Sequence, residues 1–181
     1  MKGILQNLKI AILVCDGFEE REMVKPREAL MNAGATVHLI TSNAKKVTAW
    51  LHGNWSKQYK IDMQLEDAKP TEYDALLLPG GVINPDKLRT NKKAVKFVDS
   101  FLKKQKLIAA ICHGPITLIE TGKLRGRKLT SYHSIKTDIK NAGGIWQNKA
   151  VVIDKNLITS REPKDLPAFN NAIIKKLSSR P

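Results

Sequence analysis

The chain has 181 residues, is 42% hydrophobic and carries a net charge of +14. That length suits a single domain, residues 1–181, with a sizeable core, and no apolar run approaches the roughly 20 residues that cross a bilayer. Two cysteines are too few for a disulfide scaffold, and with four histidines they show neither CxxC nor HExxH spacing, so neither a stapled fold nor a metal site is expected.

The first element is a buried strand over 9–15, KIAILVC, ending in a turn at Asp16-Gly17. The start MKGILQNLKIAILVC lacks a small-residue cleavage site before polar sequence resumes. It therefore reads as a first strand and not a signal peptide, and the expected location is the cytoplasm, with both thiols reduced. Residues 19–33 predict a helix with Met23, Leu30 and Met31 on one face, kinked or delayed by Pro26 and stopped at Gly34. A second strand follows at 35–41, then a small β excursion over 47–65 turning at His52-Gly53, then a buried strand at 73–78 that runs into Pro79-Gly80-Gly81. Residues 91–104 predict a helix with Ala94, Val95, Val98, Phe101 and Leu102 inward. The run at 107–111 is a strand buried on both faces, followed through Thr117-Glu120 by the opening of a helix. Further strands are expected at 127–132, 150–153 and 157–160, with helices at 135–141 and 165–177. Strands alternating with helices predict an α/β fold, a doubly wound and mostly parallel sheet sandwiched by helices. The basic residues are scattered, as at Lys45-Lys46, Lys92-Lys93, Lys103-Lys104 and Lys175-Lys176, which reads as a solvated surface and no specific nucleic-acid partner.

The chemistry is expected at Cys112. It falls between a buried strand and a helix start, the setting of a nucleophile elbow, where the helix N-terminus would favour thiolate over thiol. A buried packing cysteine is the competing reading. His113, expected as the first helical residue, offers a backbone N–H as an oxyanion donor and a ring as a base, or simply packs. Pro79-Gly80-Gly81 ends a neighbouring strand, where glycine lets the backbone approach a ligand and Gly81 can supply a second N–H. Glu19 and Glu22 are three apart and share a face just past the first strand. Beside a thiolate such a carboxyl would hold its proton and donate it to the sulfur; otherwise it belongs to a solvated acidic first turn. Cys15 reads as packing or as a resolving thiol, His38, His52 and His133 as packing or surface residues, and Trp50, Trp55 and Trp146 as core or interface residues.

Taken together, DGFEEREMVKP, YDALLLPGG, AAICHGP, LRGRKLTSY, SIKTDIKNAGG and ITSREPKDLPAFN span nearly the whole chain. They resemble the ThiJ/PfpI family, the intracellular protease/amidase and protein deglycase group of the class I glutamine amidotransferase-like fold, in its PfpI-like branch. The resemblance implies a flavodoxin-like sheet with Cys112 as nucleophile, Glu22 as the carboxyl on its sulfur, and Glu19 as the neighbouring acid. It also implies Gly81 and His113 as oxyanion donors and Tyr132 as an active-site tyrosine. It implies a homodimer or higher oligomer in which a carboxylate after the Pro-Gly-Gly turn reaches a neighbour's site. Asp86 is the match, in a loop one residue longer than usual and with Asp in place of Glu; His133 stands where proline is common. The implied activities are hydrolysis of peptides or amides, glyoxalase-type conversion of methylglyoxal, repair of glycated groups and stress protection, with no metal or organic cofactor. The alternative is a redox-sensing protein or chaperone in which Cys112 is oxidised without turnover.

Overall fold

The computed structural model describes residues 3–42 and 44–179; Met1 and Lys2, at the head of the segment weighed as a leader, lie outside them. In chain order the strands are β1 (Lys9–Leu13), β2 (Phe18–Glu19), β3 (Thr36–Thr41), β4 (Lys46–Leu51), β5 (Asn54–Lys60), β6 (Met63–Gln64), β7 (Ala75–Leu78), β8 (Leu107–Ile111), β9 (Lys128–Leu129), β10 (Ile145–Trp146), β11 (Val151–Asp154) and β12 (Leu157–Ser160). The helices are α1 (Glu20–Asn32), α2 (Ile83–Thr90), α3 (Lys92–Lys103), α4 (Ile116–Ile119), α5 (Lys136–Asn141) and α6 (Leu166–Ser178).

Among the described residues seven strands form one sheet in the order β11-β12-β8-β7-β1-β3-β6. All its pairings are parallel except that of β11 with β12. Side chains alternate across each strand, and both faces are covered, which is why the strands read as unbroken apolar runs. On one face Ile10, Ile12, Leu77, Ala109 and Ile111 meet Met23 and Leu30 of α1 and Phe169, Ile173 and Leu177 of α6. On the other, Ala11, Leu13, Leu76, Leu78, Ile108 and Ala110 meet Phe97, Val98 and Phe101 of α3 with Leu118 and Ile139. This is the mostly parallel, helix-flanked sheet of the flavodoxin-like class. A smaller sheet, β2-β4-β5, stands beside the carboxyl end of β1, and the hairpin between β4 and β5 turns at His52-Gly53 as expected.

Four local expectations are corrected. Met31 is 52% exposed, on the side of α1 turned away from the core that its neighbour Leu30 packs into. The strand expected over 127–132 is only β9, so Tyr132 stands in a loop before a 3-10 turn at His133–Ile135. The segment after Pro79-Gly80-Gly81, read as a loop, coils into α2, which Asn84-Pro85 enters from Val82. Finally, α4 begins at Ile116, so His113 is not its first residue but lies in the turn before it.

Candidate active site

Three strand ends, those of β1, β7 and β8, meet at the carboxyl edge of the sheet. There β8 delivers Cys112 into a left-handed backbone conformation, φ +61°, rare for a residue with a side chain. The turn is held on both sides: the Cys112 N–H donates to Ser160 O at 3.1 Å, and Cys112 O accepts the Tyr132 N–H at 2.9 Å. A strained conformation fixed by its neighbours is typical of functional positions.

Facing it, β7 ends in Pro79-Gly80-Gly81. Neither glycine tolerates a side chain. A Cβ on Gly80 would lie 2.5 Å from Glu22 Oε2 and 2.6 Å from Cys112 Cβ, and one on Gly81, at φ +77°, would collide with Gly17 O. The close approach sets the N–H groups of Gly81 and His113 beside the Cys112 sulfur, where both favour its thiolate.

Glu22 enters from the first turn of α1, fully buried. Its Oε2 accepts the Gly80 N–H at 3.0 Å, its carboxyl lies close enough to the Cys112 thiol for each to shift the other's titration, and buried Oε1 has no hydrogen-bond partner. A bare buried carboxylate oxygen is costly, and a proton relieves it. Burial, with the Glu19 charge beside it, pushes the Glu22 carboxyl up to about 8, so it is protonated at neutral pH. Glu19 is the N-cap of α1: its Oε2 accepts the Glu22 N–H at 2.9 Å and Oε1 accepts from Arg21 at 2.6 Å.

Burial pushes the Cys112 thiol up as well, and Glu22 adds to this once it ionises, while the His113 and Gly81 amides pull it down. The expected helix-dipole activation is therefore overturned: four residues of α4 make a weak dipole, and it starts four residues beyond the sulfur. What favours thiolate is the pair of His113 and Gly81 amides; Glu22 joins them only while its carboxyl holds the proton and can donate it to sulfur. The His113 ring lies alongside, with Nδ1 3.2 Å from Sγ and Nε2 3.0 Å from the hydroxyl of exposed Ser134. Burial, and then the nearby His133, lower its pKa, so the ring is neutral. Tyr132 stacks on it at 5.0 Å and is in turn capped by His133 at 4.3 Å. The sulfur opens into a cleft of about 430 Å³ walled by Trp50, Val82, Ile83, Tyr132 and Pro163, with Glu19 and Arg21 at its polar side.

A sequence model described as the DJ-1/PfpI family matches residues 8–176. The chain belongs to the DJ-1/PfpI family. Among its relatives are a protein of Bacillus subtilis named "Putative cysteine protease YraA", 42% identical over 90% of this chain and 94% of that one. Another, from Escherichia coli, is named "Protein/nucleic acid deglycase 2" and is 42% identical over 94% of this chain and 98% of its own. In three dimensions the chain is similar to a two-domain protein from Anabaena variabilis containing DJ-1/ThiJ/PfpI-like and ferritin-like domains, with a TM-score of 0.89 and 38% identity. The match covers 94% of this chain, which spans about half of that protein, 48%. It also superimposes on Drosophila melanogaster DJ-1beta with a TM-score of 0.86 and 28% identity, over 99% of this chain and 92% of that one.

Within this family fold the structure brings Cys112, His113, Glu22, Glu19, Gly81 and Tyr132 together around one cleft. Asp86 is apart, exposed on α2 and absent from the walls of its own chain's cleft. Cys15 is apart too. Its strand is separated from β8 by β7, roughly 10 Å away on strand spacing, beyond the reach of a disulfide. Sequence reasoning missed Ser134, Trp50, Val82, Ile83, Arg21 and Pro163. Of these Arg21, Ser134 and Pro163 carried a signal, sitting inside DGFEEREMVKP, SIKTDIKNAGG and TSREPKDLPAF. Among the described residues no group of three His, Cys, Asp or Glu is placed to hold a metal ion, and no helix is long and apolar enough to cross a membrane.

Proposed function

We propose that the chain is a cysteine-dependent enzyme acting on reactive aldehydes or glycated groups, with amide or peptide hydrolysis as the related activity of the same parts. One observation carries this reading: at the Cys112 sulfur, two backbone N–H groups and a buried, protonated Glu22 converge beside an open cleft. In the aldehyde reaction the sulfur attacks the carbonyl carbon, forming the C–S bond of a hemithioacetal. The carbonyl electron pair moves to oxygen, where the Gly81 and His113 amides receive the charge. Glu22 or His113 then supplies the proton that makes the hydroxyl. For methylglyoxal, moving the C1 proton to C2 through the same acid–base groups gives a thioester, and one water hydrolyses it to lactate and free thiol. On an amide, attack expels the protonated amine and leaves a thioester of the substrate's acyl group, which one water hydrolyses to the acid and free thiol. The relatives' names, one a deglycase and one a cysteine protease, fit both branches.

The apolar walls offer surface to the carbon skeleton of a small aldehyde or glycated side chain, while the cleft is open enough for an attached peptide. Exposed Asp86 and Val82, which is 64% exposed at the cleft rim, fit a homo-oligomer in which a neighbour covers the entrance. The test is turnover of methylglyoxal, a glycated peptide and an amide substrate by the wild type and Cys112→Ala. Turnover lost in the variant is expected. Fast peroxide oxidation of Cys112 with no turnover of any of the three would replace this reading with a redox sensor.

A further inference from the structure

Asn84 takes no part in the chemistry above, yet it is completely buried beside it, in the first turn of α2. Its amide is fully used. Nδ2 donates to Pro79 O and Gly80 O, both at 3.0 Å, and Oδ1 accepts the Cys15 N–H at 2.8 Å. One side chain thus ties the end of β1 to the turn that ends β7. Gly80 O receives a second N–H, from Glu19, at 3.4 Å.

The peptide joining Gly80 to Gly81 is trans, as are all those described. In a planar trans peptide the C=O and N–H point in opposite directions. Holding Gly80 O towards Asn84 and Glu19 therefore turns the Gly81 N–H the other way, towards Cys112, whose thiolate it favours. Two adjacent glycines have little conformational preference of their own. Without an anchor this peptide could rotate, burying its carbonyl where the N–H belongs.

We propose that Asn84 is a positioning residue that sets the Gly80–Gly81 peptide and so forms one half of the oxyanion site. The proposal rests on the functional reading given above, in which that N–H receives the charge developed at the substrate oxygen. A leucine-sized apolar group would fill the same space but take away the bonds to Pro79 O and the Cys15 N–H and leave Gly80 O only the 3.4 Å bond from Glu19. An aspartate keeps the acceptor and loses the donors.

The experiment compares wild type, Asn84→Asp and Asn84→Ser for kcat and KM with methylglyoxal, for the pH dependence of Cys112 alkylation by iodoacetamide, and for thermal stability. Removal of an oxyanion donor costs about 10²–10³ in kcat. The expected result is a loss of about tenfold or more in kcat with KM within threefold. Alkylation should also need a higher pH, because a donor to the thiolate has gone. In Asn84→Asp, kcat should partly recover on acidification, as the new carboxyl regains one O–H donor to the turn; Asn84→Ser should show no such limb. Cys15 is the titratable side chain in contact at this position, with Lys87 and Asp16 acting on it.

A lower melting temperature with kcat, pH profile and thiol titration unchanged in the folded fraction would overturn the proposal and leave Asn84 a packing residue. Should Asn84→Asp not fold, Asn84→Ser carries the kcat and alkylation readouts alone. Should the wild type turn over no substrate, the functional reading fails, and the alkylation profile still decides whether Asn84 aims the amide at the sulfur.

Discussion

The two cysteines stand at nearly the same place in the fold, each just past the carboxyl end of a parallel strand of one sheet, and burial raises both thiols. What faces each sulfur differs. Around Cys15 the partners are acceptors: its thiol donates to Asn84 O at 3.3 Å and Asp16 O at 3.7 Å, and burial pushes it up to about 12. Around Cys112 two of the partners are donors, the Gly81 and His113 amides, with Glu22 a third while it holds its proton, on a backbone twisted to φ +61°, and they act against a burial that pushes this thiol up further than Cys15. Carbonyls fix a proton on sulfur, whereas N–H and O–H groups invite it to leave. Position at a sheet edge therefore does not make a nucleophile; the sign of the surrounding dipoles does.

The strongest way to break this comparison is to exchange the sulfurs one at a time. Cys112→Ser should cost at least about 10³-fold in turnover, whereas Cys15→Ser should stay within about twofold. Equal losses would mean the two sites are not distinct. Next, Gly80→Ala forces a methyl against both Glu22 and Cys112. Displacing the sulfur and the carboxyl in this way should lower kcat by about 10²-fold, measured with the folded fraction checked by circular dichroism.

The same contrast predicts that iodoacetamide at pH 8 labels Cys112 and leaves Cys15 unmodified, which peptide mass spectrometry reads directly. Labelling of Cys15 first would reverse the assignment of donors and acceptors.

A smaller effect concerns Glu22. Its carboxyl moves from an ordinary 4.5 to about 8 on folding. Below about 4.5 both folded and unfolded chains hold the proton; between the two values only the folded chain does. Raising pH across that window therefore weakens the fold, and the loss is complete above about 8. Glu22→Gln removes the titration. Its melting temperature relative to wild type should rise from pH 5 to pH 9 by roughly 2–4 °C for each kcal/mol involved, while turnover falls because glutamine donates to sulfur but passes no proton. A flat difference across that range would take Glu22 out of the pair.

Much of this was legible in the chain. Buried parallel strands announce themselves as apolar runs, and β1, β7 and β8 were found because both their faces are covered. Cys112, Gly81 and Glu22 stood at the ends of such runs or one helical turn beyond. Contacts between side chains distant in sequence were not legible. Nothing in local pattern says that Ser134 meets the His113 ring, that Trp50 reaches across from the small sheet, or that Asn84 locks a turn ahead of it. Nor could periodicity foresee α2, whose start carries Asn-Pro in a stretch that also suits a loop, or the late beginning of α4. The activation expected from a helix end failed for that reason, and the same task falls to hydrogen bonds set by tertiary packing.

The small sheet has a consequence for how copies of the chain behave when crowded. In the order β2-β4-β5 the last strand, seven residues long, has one neighbouring strand among the described residues and forms the rim of that sheet. Such a rim can template another strand. This one carries Lys57 and Lys60, and Lys46 stands directly across from Lys60. Two copies approaching rim to rim bring like charges together, so part of the surplus of basic residues acts as a guard against fibre growth, a protection that acetylation of those lysines or high salt would weaken.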